Sequence, residues 1–187
     1  LASIEKFNMV SCMFAIHYMF ETNGTLNNFV NNVDGILGVG GYLIGTCLDG
    51  YLVDQALKGK DEIGGYYGDN GSIRNWGIKK KYDKFDNKNH MKNVGKAIEV
   101  YMESIGQWLE EYLVDYEMLV EYLKRVNIRP IENEKELGIL GLKGSTGSFR
   151  EIYEGIHEPE NEPELEGFND MFKEYSFLNR WFIFKKY

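Results

Sequence analysis

The chain has 187 residues, of which 43% are hydrophobic, enough to bury one ordinary core as a single domain or part of one. No apolar run approaches the ~20 residues that a membrane-spanning helix needs. The formal net charge of −8 argues against tight, non-specific nucleic-acid binding, which neutralisation of phosphates drives.

The cysteines and histidines indicate neither a disulfide framework nor a metal site. Cys12 and Cys47 both lie in strand-like runs, as small reduced core residues do, and this favours an intracellular compartment. The three histidines have no ligand spacing such as HxxxH, so we expect no bound metal.

The first third of the chain alternates between strand and helix patterns. Residues 7–14 form a continuous apolar run, which predicts a strand buried on both faces. Apolar residues at helical spacing predict an amphipathic helix over residues 23–37, with Gly38 as its stop. Residues 40–47 predict a second buried strand. This order is typical of a crossover unit in an α/β sheet.

The middle of the chain adds smaller elements. We expect a short helix over residues 51–58 and a glycine-rich loop over residues 59–75. Residues 97–102 alternate as a strand does, and we expect them to pair with residues 78–82 in an antiparallel insertion. Asp115 is a good N-cap for a helix with a core-facing apolar stripe.

The last third contains a further loop, helix and strand. Residues 141–149 predict a flexible loop, and residues 180–186 a hydrophobic strand with a basic end. Helical spacing predicts a stripe formed by Leu165, Phe168, Met171, Phe172 and Tyr175. The alternation of strands and helices along the chain predicts the α/β class.

Two loops are expected to meet at one site. In open α/β sheets ligands collect at the carboxyl ends of the strands, where residues 14–21 and 46–50 follow the two predicted strands. His17 lies in the first of these loops. A half-buried, hydrogen-bonded core histidine is the alternative interpretation of this residue.

Three motifs in order carry a family resemblance. FxxHYxFE at residues 14–21, GGYxIGT at residues 40–46 and EYLV at residues 111–114, with a terminal FIFKK, resemble the messenger-RNA cap guanine-N7 methyltransferases. The resemblance spans nearly the whole chain. The TCLDG loop at residues 46–50, without the usual proline and asparagine, is similar to members from large DNA viruses.

The resemblance implies a Rossmann-like class I methyltransferase fold that uses S-adenosylmethionine as methyl donor and the capped 5′ end of RNA as substrate. Guanine N7 carries a lone pair and no proton, so no general base is needed. Catalysis must come from positioning the nucleophile in line with the methyl group, and we expect no catalytic acid or base.

The resemblance also implies roles for particular residues. Glu111 would accept the N1 and N2 hydrogens of the guanine, and His17 and Tyr18 would line the base and hold its edge. Met13, in place of a common glutamine, and Phe14 would contact the methyl donor. Without the resemblance, Glu111 would be a solvated glutamate.

A departure at Asn179 and a charged segment bear on this assignment. The family often has a cap-contacting tyrosine near the start of its last strand, where this chain has Asn179, with Tyr175 and Trp181 nearby. Residues 74–96 carry eight lysines and arginines against two aspartates. This segment would either draw in an anionic triphosphate or RNA, or form a solvated loop.

The resemblance also bears on the domain organisation of the chain. The strands and glycine-rich turn that bind the donor have no counterpart in residues 1–187, so we expect a single partial domain, the carboxyl-terminal part of a catalytic domain. Other capping-enzyme domains would be fused to it or bound to it. It would act in the nucleus of a cell, or in the host cytoplasm or virion of a virus.

A non-catalytic subunit that binds the cap or stimulates a partner is the main alternative, and a small-molecule methyltransferase is another. Such a small-molecule enzyme would have little use for Glu111 and His17 together.

The isolated 187-residue chain is expected neither to fold stably nor to methylate capped RNA, because apolar strand faces and a sheet edge would be left uncovered. Thermal unfolding and a methyl-transfer assay on the purified chain test this. A cooperative transition together with activity would contradict it.

Overall fold

A strand, a helix and a second strand open the fold. The computed structural model describes residues 5–156 and 170–187. Strand β1 spans Phe7–Met13, helix α1 spans Asn23–Ile36 and strand β2 spans Leu37–Leu48. Because β1 and β2 pair in parallel, the predicted strand, helix and parallel strand are confirmed.

Helix α1 is fixed by polar contacts at both ends. Thr22 and Thr25 form a capping box at its start, with reciprocal backbone to side-chain hydrogen bonds of 3.0 Å. At its end, the buried Lys186 ammonium donates to the carbonyls of Asp34 and Leu37 at 2.6 and 3.0 Å. These bonds satisfy carbonyls that lack intrahelical partners, so the last strand holds the end of the first helix.

Strand β2 lies at the centre of a mixed five-stranded sheet. Strand β9, Asn179–Lys186, runs antiparallel along its other side and confirms the predicted terminal strand. Two short strands also pair with β9 and were missed by the sequence reasoning: β7, Ile128–Pro130, and β8, Thr146–Ser148. Strand β8 falls inside the loop predicted for residues 141–149, so that prediction is partly wrong.

Strand β1 is the outer strand of this sheet, and the prediction that both its faces are buried is wrong. Val10 and Cys12 pack partly against the core, but Phe7 and Met9 are 60% and 55% exposed. Among the described residues only β2 pairs with β1. No described strand pairs with the other edge of β1. The continuous apolar run is therefore an edge strand in the described part of the chain.

A second sheet, of four antiparallel strands, packs beside the first sheet. Its strands, in spatial and chain order, are β3 Glu62–Tyr67, β4 Ile73–Lys80, β5 Ala97–Met102 and β6 Gln107–Tyr112. Pairing of Ile78 with Val100 confirms the predicted antiparallel insertion. The glycine-rich loop predicted for residues 59–75 is wrong. Gly64 and Gly77 instead face each other across β3 and β4, where their missing side chains allow close packing.

The remaining helices fill the connections. Helix α2 spans Gly50–Ala56 and helix α3 spans Tyr116–Lys124, each capped by the aspartate before it, as predicted for Asp115. Three short helices were not predicted with these bounds, namely α4 Glu134–Ile139, α5 Phe149–Ile156 and α6 Asp170–Ser176.

Of the predicted apolar stripe around α6, Leu165 and Phe168 lie outside the described residues, while Tyr175 is half-buried in the helix. In the described part of the chain, no helix is long and apolar enough to cross a membrane.

Two apolar clusters meet between the sheets. The larger packs α1 and α3 against β2 and β9, with Leu26, Leu43 and Phe182 almost fully buried. The other packs α2 against the inner face of the second sheet, around Trp76 and Ile98. The boundary between the clusters lies at the carboxyl ends of β1 and β2.

Gly45 of β2 lies so close to Phe182 of β9 that a side chain there is expected to lower stability. A Cβ there would overlap the ring of Phe182 and lie 2.5 Å from the Cys12 carbonyl oxygen. We expect Gly45→Ala to lower the free energy of unfolding of the complete catalytic domain by about 2 kcal/mol, measured by urea denaturation.

Gly35→Ala is the matched control, because a methyl group added there would meet no atom within 4 Å and the residue lies inside α1. We expect it to stabilise by up to ~1 kcal/mol through helix propensity. Equal effects of the two substitutions would contradict the packing at Gly45.

Candidate functional site

A cavity of about 280 Å³ lies where the two sheets meet. Its walls come from the end of β1, the segment after it, the end of β2, the β5–β6 hairpin and α6. The lining residues are Phe14, His17, Leu48, Val100, Met102, Ile105, Leu109, Glu111 and Tyr175. The predicted meeting of residues 14–21 and 46–50 is therefore confirmed through Phe14, His17 and Leu48.

The segment after β1 turns sharply to enter this cavity. Phe14 has a φ of 49°, a left-handed conformation that is uncommon for a bulky residue, and its N–H donates to the Thr46 carbonyl at 2.9 Å. A short 3₁₀ helix, Ile16–Phe20, follows, and its two terminal side chains are fully buried. These anchors hold His17 between them, 6% exposed and facing the cavity.

Glu111 reaches the cavity from the second sheet. It lies on β6 opposite Ile98 of β5, on the face of the sheet that packs against the core. The sequence reasoning did not predict β6 as a strand. The side chain of Glu111 is only 14% exposed, so the alternative of a solvated glutamate is excluded by the structure.

His17 and Glu111 are adjacent, but they do not form an ion pair at neutral pH. The His17 Nδ1 atom lies 3.7 Å from Glu111 Oε2. Burial lowers the pKa of His17 to about 4 and raises the pKa of Glu111 to about 7. Near pH 7 the imidazole is therefore neutral and the carboxyl group is close to half ionised, so no cation balances this buried charge.

The second ring nitrogen of His17 is also unsatisfied. His17 Nε2 is buried and has no hydrogen-bond partner in the structure. The imidazole packs against Tyr18, with ring centroids 4.1 Å apart at 57°, and Tyr18 is 49% exposed. A buried polar atom without a partner costs free energy, which a polar ligand in the cavity would recover.

Phe14 lies at the mouth of this cavity, whereas Met13, the last residue of β1, does not line it. Thr46 Oγ1 donates to the Met13 sulfur at 3.6 Å, which joins the ends of β1 and β2. Phe14 is 52% exposed and meets Phe149 edge-on at 6.1 Å. Of the two residues expected to contact the methyl donor, Phe14 therefore reaches the cavity and Met13 lies next to it in the chain.

Asn179 is buried away from the cavity. It is 2% exposed, and its Nδ2 donates to the carbonyls of Tyr175 and Ser176. Trp181 packs instead against a separate buried cluster of Ile131, Leu137 and Ile183. Of the three residues named around that position, Tyr175 alone lines the cavity.

The aspartate of the TCLDG loop has a structural role here. Asp49 caps α2 and forms an ion pair with Arg180. It lines a separate cavity of about 280 Å³ with His90 and Asp115, which are hydrogen-bonded to each other at 2.9 Å.

The basic segment is partly strand rather than loop, and its first cations already have partners. Arg74 pairs with Glu62, Lys79 lies 3.8 Å from the centre of the Trp108 ring, and Lys81 pairs with Glu99. In the described part of the chain, no group of three or more histidines, cysteines or carboxylates is arranged to hold a metal ion.

Sequence reasoning missed most of the apolar wall. Met102, Ile105 and Leu109 come from the β5–β6 hairpin, of which only β5 was predicted. The content of apolar and aromatic residues from Trp108 to Val114 was the available signal. It was obscured by the two adjacent glutamates, Glu110 and Glu111.

Comparison with solved structures identifies the class of fold. The CcbJ methyltransferase of Streptomyces caelestis superposes with a TM-score of 0.50 at 10% sequence identity, covering 97% of this chain and 58% of that one. With its mixed sheet and crossover helix, the chain has a Rossmann-like methyltransferase fold that carries an antiparallel insertion.

Comparison of sequences identifies the family. The profile described as "mRNA (guanine-N(7))-methyltransferase domain" matches residues 3–187, and the chain belongs to this family. It is 29% identical over 97% of its length to a protein of Acanthamoeba polyphaga mimivirus described as "Probable mRNA-capping enzyme". It is 38% identical over 58 residues, 31% of its length, to the mRNA cap guanine-N(7) methyltransferase of Caenorhabditis briggsae. These matches span 17% and 15% of the two relatives' lengths.

The raised pKa of Glu111 predicts a pH-dependent effect of Glu111→Gln on stability. The folded state holds the proton more tightly than the unfolded state, so wild-type stability falls as pH rises from about 4.5 to about 7. The amide does not titrate. We expect Glu111→Gln to stabilise by about 3 kcal/mol at pH 8 relative to its effect at pH 4.5.

Denaturant titrations of the complete catalytic domain at the two pH values measure this difference. Glu110→Gln, at the exposed neighbouring position on β6, is the control and should change little with pH. A pH-independent effect of Glu111→Gln would show that Glu111 is not desolvated.

Proposed function

We propose that this chain takes part in transfer of a methyl group from S-adenosylmethionine to N7 of the guanine that caps messenger RNA. The observation that carries the proposal is the unpaired carboxyl group of Glu111 beside His17 in the cavity. Membership of the cap guanine-N7 methyltransferase family supports it.

The cavity suits the edge of a guanine. Guanine presents two adjacent donors, N1–H and N2–H₂, and a carboxylate accepts from both at once. Binding would give the Glu111 carboxylate the partners that the protein does not provide. His17 Nε2 would meet the base at a second point, and Tyr18 would support the imidazole.

Positioning is sufficient for this chemistry. N7 has a free lone pair, so no side chain has to remove a proton before the new bond forms. The neutral imidazole of His17 keeps a second cation away from a ring on which positive charge develops during transfer. Glu111, when ionised, favours that charge.

The chain would hold the methyl-bearing end of the donor. S-adenosylmethionine supplies an electrophilic methyl group on a positively charged sulfur. Phe14 lines the cavity at the exposed end of β1, and Met13 lies beside it, so both fit the apolar surroundings of that methyl group. Their rigid backbone, joined to Thr46, would fix the direction of approach.

We also propose that residues 1–187 are the carboxyl-terminal part of a catalytic domain whose other strands bind the rest of the donor. The open edge of β1 and its exposed side chains Phe7 and Met9 support this, because a further strand would pair with the edge and the elements packed beside it would cover the side chains. Fusion to other capping domains is supported by the mimivirus relative, of which this chain matches 17%. Such an enzyme would act inside a cell, in the nucleus or, for a virus, in the host cytoplasm or virion.

Capped RNAs that differ at one donor test the role of Glu111 in the complete protein. An inosine cap lacks the N2 amino group and retains N1–H. We expect Glu111→Ala to lower kcat/KM for guanosine-capped RNA about 100-fold or more, since a buried, charge-assisted pair is lost.

The loss should be several-fold smaller on inosine-capped RNA, and the KM for S-adenosylmethionine should stay within twofold. Glu110→Ala is the control. If Glu111→Ala leaves methylation unchanged, or affects both caps equally, Glu111 does not contact the guanine edge.

A further inference from the structure

One aromatic ring of the cavity lining comes from outside the family motifs. Tyr175, in the last turn of α6, lines it together with Phe14, His17 and Glu111. The Tyr175 ring packs on Trp76 with centroids 5.4 Å apart, and Trp76 is 3% exposed. Tyr175 is therefore backed by the core of the second sheet.

Asn179 fixes the backbone that carries this ring. Its Nδ2 donates at 3.1 Å to the Tyr175 carbonyl and at 3.1 Å to the Ser176 carbonyl. The Tyr175 carbonyl also accepts from the Leu178 N–H at 3.1 Å. Carbonyls in the last turn of a helix lack intrahelical partners, so the buried amide and this turn together cap the end of α6. Asn179 is also the first residue of β9, and it thereby joins α6 to the first sheet.

The phenol of Tyr175 is close to Glu111. Burial raises the pKa of Tyr175, and the negative charge of Glu111 raises it further. The phenol thus stays protonated across the physiological range. Its ring presents a neutral aromatic surface beside the carboxylate rather than a second anion.

A flat base held at its edge by Glu111 and His17 needs surfaces against its faces. Apart from the His17 imidazole, the described lining residues offer two rings, Phe14 and Tyr175. Phe14 lies at the mouth of the cavity on the β1 side, and Tyr175 comes from a different element, α6. Base stacking on an aromatic ring is tolerant of sequence and adds substantially to affinity.

We propose that Tyr175 contacts a face of the substrate guanine and that Asn179 is a positioning residue that acts through Tyr175. The proposal rests on the proposed function. It adds a specific substrate contact from α6, and it assigns the asparagine at the start of β9 an indirect role.

Steady-state kinetics on capped RNA in the complete protein test the substrate contact. We expect Tyr175→Leu to raise the KM for capped RNA about tenfold and Tyr175→Phe to raise it less than threefold. The KM for S-adenosylmethionine should stay within twofold in both. Tyr187→Leu, at a half-exposed tyrosine at the end of the chain, should change neither constant.

A double-mutant cycle tests the role of Asn179. We expect Asn179→Ala to raise the KM for capped RNA three- to fivefold in the wild-type background and to add nothing in the Tyr175→Leu background. Additive effects would overturn the indirect role.

Tyr175→Met, which keeps an apolar side chain of similar length, repeats the measurement if Tyr175→Leu fails to fold. An unchanged KM in a folded Tyr175 variant would overturn the substrate contact while the wild type still methylates capped RNA. A wild-type protein that does not methylate capped RNA would instead overturn the proposed function.

Discussion

A carboxyl group held out of water without a cation is the constraint around which this site is built. Glu111 is 14% exposed at its side chain, and its nearest titratable neighbour, His17, is neutral at physiological pH. Proteins rarely keep such a group, because burial without a partner is costly. The arrangement is stable only because the β5–β6 hairpin and the 3₁₀ helix hold both residues in place, and it favours a ligand that brings its own donors.

Both sheets contribute residues to this site. The first sheet, through β1 and β2, supplies Phe14 and Leu48 at its carboxyl edge, where parallel strands leave a crevice. The second sheet supplies Glu111 from a strand of the antiparallel insertion. Helix α6 adds Tyr175 from the far end of the chain. A ligand in the cavity would thus touch segments that lie far apart in the sequence, so binding is expected to couple the sheets.

Most of the first sheet could be predicted from sequence because its strands and helix have strong, regular apolar patterns. The errors have physical causes. The apolar run of β1 cannot reveal whether a neighbouring strand is present, and its outer side is exposed. The glycines at residues 64 and 77 resemble loop residues, yet they allow two strands to approach closely. For the site, the motifs predicted that His17, Tyr18 and Glu111 act together. The structure places His17 beside Glu111 and beside Tyr18, but Tyr18 does not line the cavity, and the roles of all three remain predictions. The apolar wall and the contact of Asn179 with α6 depend on tertiary packing, which no local pattern encodes.

Loss of the Glu111 proton on ligand binding is the most direct test of the central claim. With a pKa of about 7, most Glu111 side chains carry a proton at pH 6.5. A guanine that donates to the carboxylate must displace that proton. Calorimetric titration of the complete protein with a guanosine cap dinucleotide at pH 6.5, in two buffers of different ionisation enthalpy, measures protons released. We expect release of more than half a proton from the wild type and none from Glu111→Gln. Equal proton release from the two proteins, or proton uptake, would contradict the account.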